Sequence, residues 1–181
     1  MKKRFELAKE EFYSEDSDGK PRLVYAFFGL AIYYGQLLEE TFSNMLWTDR
    51  VFKKKVKTNR EVNEIIDTIE NSKKTMGNLI NEVKQSYNLT EELTKKLDKI
   101  LERRNYLTHK YFKLNIEKFY SEVGQLEMIE FFCDFVDDAK QIEEELRDYY
   151  SDYINKLGIT EEKLTEMMDE MKRQEIKRVQ R

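Results

Sequence analysis

The sequence predicts an all-α protein, a four-helix up-and-down bundle with an extra C-terminal helix, and three observations carry that reading. Breakers are scarce: one proline, Pro21, and six glycines in 181 residues leave long uninterrupted segments. Apolar residues recur at three- and four-residue spacing, as one buried face of a helix requires. Hydrophobic residues make up 40% and charged residues 38%, which suits narrow apolar stripes under a heavily charged outside.

Residues 1–22 read as an N-terminal arm or short helix, followed by a loop through Ser14 and Gly19, with Pro21 at a helix start. Residues 23–157 read as the bundle. Its first helix runs from Leu23 to about Trp47 and is apolar nearly all round in its first half, which places it centrally. Gly29, Ala31 and Gly35 are small enough to admit a close neighbour. Asp49 to Lys57 reads as a basic connector. Asn59 then caps a helix to about Gln85, bent near Gly77. Thr90 caps a third helix, with Glu91 and Glu92 in its first turn. A fourth runs from about Gln125 to Leu157, and Gly158 ends it. Residues 158–181 form an amphipathic C-terminal helix with Leu164, Met167, Met168 and Met171 on one face. It is expected to pack back on the bundle.

The formal net charge is −4, unlike a general nucleic-acid coat protein. The charge is unevenly placed. Residues 93–120 carry eight basic and three acidic side chains, whereas residues 125–157 carry three basic and ten acidic ones. Either two solvated helix faces or an anionic ligand beside the basic segment would explain this. Cys133 is the single cysteine, so an internal disulfide and a cysteine metal cluster are both excluded; it reads as a small core residue. Met1 to Arg4 opens no signal peptide, and the apolar run Leu23 to Tyr34 is too short to span a membrane. The expectation is a cytoplasmic protein with no membrane contact.

His109 is the single histidine, the one side-chain type that titrates ordinarily near neutrality. On a helical wheel, Leu93, Leu97, Ile100 and Tyr111 fall within about 40° of Arg104. Arg104 therefore stands in the middle of the stripe that should face the core. A guanidinium cannot be discharged there, so it must meet a carboxylate or border a wet cleft or an interface. Glu39 and Glu40 are the internal candidates. His109 lies about 140° from Arg104, with Asn105 one turn before it.

The run Arg104-Asn105-Tyr106-Leu107-Thr108-His109 resembles the Arg-x4-His signature of the HEPN superfamily of helical nucleotide-binding domains and ribonucleases. Extended to Tyr111, it is similar to the branch found as toxins beside nucleotidyltransferase antitoxins. The first helix, through Phe28 to Tyr33 and Gln36 to Glu39, is similar to helices of bacterial HEPN-like proteins. The resemblance implies an endoribonuclease that needs neither metal nor cofactor. It implies a homodimer with a composite site, in toxin–antitoxin or antiviral defence, with RNA as substrate. The 2′-hydroxyl would attack the adjacent phosphate and leave a cyclic phosphate. In that scheme His109 is general acid or base, Arg104 stabilises phosphorane oxygens, and Asn105 orients the imidazole or donates to the phosphate. Arg103, Lys110 and Lys113 would hold the flanking RNA backbone. Tyr111 would be either a core tyrosine or the site where an antitoxin attaches adenylate. Two readings without catalysis stay open: a nucleotide-, RNA- or protein-binding module, and a bundle whose arginine is paired with a glutamate.

Overall fold

The computed structural model describes residues 3–158 and 160–179. Met1, Lys2, Ile159, Gln180 and Arg181, which the sequence assigns to the arm and the C-terminal helix, lie outside them. Among the described residues every regular element is helical, so the protein is all-α.

The N-terminal arm is a helix, α1 (Lys3–Ser14), and it belongs to the core. Phe12 is fully buried and Ala8 nearly so, and Arg4 donates from Nε to Asp137 at 2.7 Å. Asp16 then accepts from the amides of Asp18 and Gly19, satisfying donors that open α2 (Gly19–Lys53). This helix is longer at both ends than Leu23 to Trp47. The expected connector from Asp49 begins only after Lys53, because Thr48, Asp49 and Val51 are buried and hold the backbone helical. Lys55, at φ 51°, makes the turn.

Residues 59–85 do not form one bent helix. They divide into α3 (Asn59–Glu70) and α4 (Met76–Ser86), each opened by its own capping box. Thr58, rather than Asn59, caps α3 with Glu61, and Thr75 caps α4 with Asn78. The break precedes Gly77 because a threonine and an asparagine three apart satisfy backbone donors better outside a helix than within one.

Thr90 caps α5 (Glu91–His109) as expected, its hydroxyl accepting from the Leu93 amide. Leu93, Leu97, Ile100 and Leu107 are its buried face. The helix stops at His109, for Lys110 adopts φ −131°. A single turn, α6 (Tyr111–Asn115), and a 3₁₀ segment, Ile116–Tyr120, follow. Ser121 caps α7 (Glu122–Lys156), and Gly158 ends it at φ +73°.

α2 and α7 pack along each other and make the spine of the core. They run in the same direction: Lys20 pairs with Glu122, Phe28 meets Phe132, and Phe52 meets Tyr153. An alternating up-and-down order of four helices would set the first and last antiparallel. The division into α3 and α4 is what departs from it, since neither short helix returns the chain along the full length of α2. α5 runs opposite to α7, through Lys96 with Glu145 and Arg103 with Asp138. The basic helix therefore faces the acidic one, which accounts for part of the charge asymmetry.

α8 (Glu161–Val179) is the clearest departure. Its side chains from Glu162 to Val179 are all exposed, so the Met-bearing face does not pack back on the bundle.

Candidate functional site

The last two turns of α5 and the first turn of α4 border an open groove of about 570 Å³. Arg104, Asn105, His109 and Lys110 all line it. Thr75, Met76 and Gly77 form the opposite wall, and Leu101, Glu102 and Tyr106 complete it. A Cβ on Gly77 would sit 3.4 Å from Leu101 Cδ2, so the start of α4 lies in contact distance of α5.

Arg104 reaches this groove from the apolar stripe by lying across α2. A Cβ on Gly35 would be 3.5 Å from Arg104 Cγ, ordinary van der Waals contact, so the arginine's stem lies against α2 at this position. Gly29 has no such neighbour. The guanidinium then donates from Nη2 to Glu39 Oε1 at 2.5 Å and from Nη1 to Asn105 Oδ1 at 3.4 Å. Of the two glutamates the sequence offers, Glu39 is the partner. Both side chains of the pair are partly buried, at 25% and 29% exposure, so neither charge is sealed from water.

His109 is exposed at the C-terminal end of α5. Asn105 is exposed one turn before it. Thr108, between them, returns its hydroxyl to the Arg104 carbonyl at 2.9 Å. Lys110 is exposed at the rim. Together these groups present two cations, an imidazole and an amide to one open groove. Such a set can bind a phosphodiester and move a proton at it.

The other residues singled out from the sequence are elsewhere. Arg103 turns toward α7, where it is ion-paired to Asp138 and stacks 5.3 Å from the Phe131 ring and 5.8 Å from Phe135. Lys113 is exposed on α6 and does not line the groove. Tyr111 is 3% exposed. Its ring stacks on Phe131 at 4.7 Å and meets Phe132 at 4.8 Å and Tyr106 at 5.6 Å. Burial, with Tyr106 and Glu127 adding to it, holds its phenol well above the ordinary tyrosine range.

Comparison with known proteins gives no match, neither to a protein-family model nor to a curated protein or a solved structure. Among the described residues no group of three or more histidine, cysteine or carboxylate side chains is placed to hold a metal ion. Among the same residues no helix is long and apolar enough to cross a membrane.

Two contributors to the groove were not legible in the sequence. Tyr106 reads as a spacer within the motif, yet it lines the groove while its hydroxyl accepts from Asn115 Nδ2 at 2.7 Å. The Thr75–Gly77 wall lies a long way back in the chain. The capping pair Thr75 and Asn78 is the signal that would have located it.

Proposed function

We propose that the chain is an endoribonuclease of the HEPN type that acts on RNA without a metal ion. The observation that supports it is the common groove: Arg104, Asn105, His109 and Lys110 all open onto one cleft at the end of α5. In this reading a neutral His109 takes the proton of a ribose 2′-hydroxyl. The freed oxygen attacks the adjacent phosphorus, and the 5′-oxygen leaves with a proton returned by a second imidazole. That second imidazole is His109 of another copy, so the active form is a homodimer with a composite site. Arg104 and Lys110 offset the charge that builds on the phosphorane oxygens, and Asn105 orients the phosphate. Arg103 is already engaged with Asp138, so RNA contacts fall to Lys110 and, along the strand, to Lys113.

A cytoplasmic toxin or antiviral effector is the biological setting this chemistry suits, with a nucleotidyltransferase-type antitoxin as its natural regulator. The burial of Tyr111 argues against its hydroxyl as the place where such an enzyme acts on the folded protein.

The ion pair between Arg104 and Glu39 favours a second reading, a non-catalytic module that binds RNA or a nucleotide in the same groove. One experiment separates the two. RNA incubated with the purified protein and a chelator should yield fragments ending in cyclic phosphate. His109→Ala should abolish cleavage and leave helicity and stability unchanged, since the side chain is exposed. RNA bound intact by wild type and variant alike, from about pH 6 to 8 where an imidazole changes charge, would overturn the nuclease in favour of the module.

A further inference from the structure

α8 is a 19-residue amphipathic helix whose apolar face has no cover among the described residues. Leu164, Met167, Met168 and Met171 are 44%, 55%, 58% and 68% exposed. In folded proteins most of a helix's stability comes from packing its apolar face against something. Its charges say what that something is. From residue 162 to 170, Glu162, Glu166, Asp169 and Glu170 stand against Lys163 alone. From residue 171 to 179, Lys172, Arg173, Lys177 and Arg178 stand against Glu175 alone.

We propose that α8 pairs antiparallel with α8 of a second copy of this chain, through the face bearing Leu164, Met168 and Met171. Antiparallel apposition lays the acidic half of each helix along the basic half of the other, whereas parallel apposition sets like charge beside like. With the two-fold axis near Met171, the methionines of the two copies meet at the centre. Each Leu164 then lies against the aliphatic stem of Arg178 from the other copy. Part of the charge is already used along the helix: Lys172 with Asp169 at 3.3 Å, Arg173 with Glu170 at 3.0 Å, Arg178 with Glu175 at 2.6 Å. All six side chains are at least half exposed, and such pairs hold their partners weakly enough to exchange them. An acidic start and basic end also suit a lone helix's dipole, but that leaves the apolar stripe in water. Self-pairing accounts for both features.

This inference does not rest on the ribonuclease reading. Its test uses the full chain carrying either Leu164→Cys or Arg178→Cys, mixed and oxidised; native Cys133 is fully buried. Antiparallel pairing gives the mixed 164–178 disulfide well above either homodisulfide. A dominant 164–164 product, as in a parallel pair, or no cross-link at all, overturns it. In parallel, Met168→Glu combined with Met171→Glu should weaken self-association in sedimentation at least about tenfold, from the apolar burial lost. These side chains do not pack on the bundle, so its fold is unaffected. Unchanged association overturns the proposal while leaving RNA cleavage, which depends on the α5 groove, to stand or fall separately.

Discussion

Arg104 of α5 and Glu39 of α2 meet at 2.5 Å, joining the two helices at the back of the groove that His109 overlooks. The carboxylate answers the cost of carrying a guanidinium on an apolar helix face. It also competes with any phosphate that enters. The state of this pair therefore sets how much positive potential the groove offers to an anion.

Removing the carboxylate charge should make that competition visible. Glu39→Gln is expected to tighten RNA binding in fluorescence anisotropy and to steepen its salt dependence, since one more cation is free to displace counterions. The same change should cost about 1–2 kcal/mol of stability, for it removes a charge-assisted hydrogen bond between partly buried groups. Unaltered RNA affinity would mean that the Arg104 guanidinium does not face the nucleic acid.

Tyr111 tests whether the residue after the motif is packing or switch. Its ring is enclosed by Phe131, Phe132 and Tyr106. Tyr111→Ala should cost about 3–5 kcal/mol in denaturant unfolding, and Tyr111→Phe about 1 kcal/mol or less. A tolerant Tyr111→Ala would show that the ring leaves the core in solution.

High pH should unfold the protein. Burial raises the phenol of Tyr87 from 10.0 to about 12 and the thiol of Cys133 from 9.0 to about 12; Tyr150 is raised as well. These groups stay neutral in the fold while the unfolded chain ionises them at lower pH. Their stabilisation is complete below the unfolded values and is lost as pH rises through the folded ones. The denaturant midpoint should fall steadily between about pH 9 and 12. Tyr87→Phe should blunt part of that slope while losing the hydroxyl's bond to the Met45 carbonyl at 2.8 Å. A flat midpoint over this range would mean that the groups are solvated.

Two glycines should respond in opposite directions to alanine. A Cβ at Gly124 would meet the Lys118 carbonyl oxygen at 2.2 Å and its Cα at 2.6 Å, both backbone atoms. Gly124→Ala is expected to cost about 1–3 kcal/mol by forcing the 3₁₀ segment off α7. Gly29, on the open side of α2, has nothing within 4 Å of its added Cβ. Gly29→Ala should stabilise by up to about 1 kcal/mol, the helix-propensity difference. Thermal melts of the two variants check both signs.

Much of this was legible one residue at a time. Thr90 with the stripe Leu93, Leu97 and Ile100 announced α5, because a cap and a 3.6-residue period are local signals. The misplacement of Arg104 on that stripe was legible for the same reason, and so was its demand for a carboxylate, a wet cleft or an interface. The division at residues 71–75 was missed although its chemistry is local, since the apolar period runs on either side of it and conceals the break.

By itself the sequence determined that the chain is helical, where α5 starts, which faces are greasy, and that one arginine stands on the apolar stripe of α5 with the histidine at its end. Those properties follow from neighbours three and four residues apart. Only the tertiary structure decided that Glu39 rather than Glu40 meets the arginine, that α2 and α7 run parallel, and that the Thr75 turn closes the groove. It also sent Arg103 to Asp138, Tyr111 into the core and the face of α8 to the surface. Such choices rest on which distant surfaces fit and which charges meet when the helices pack, and no local pattern encodes that.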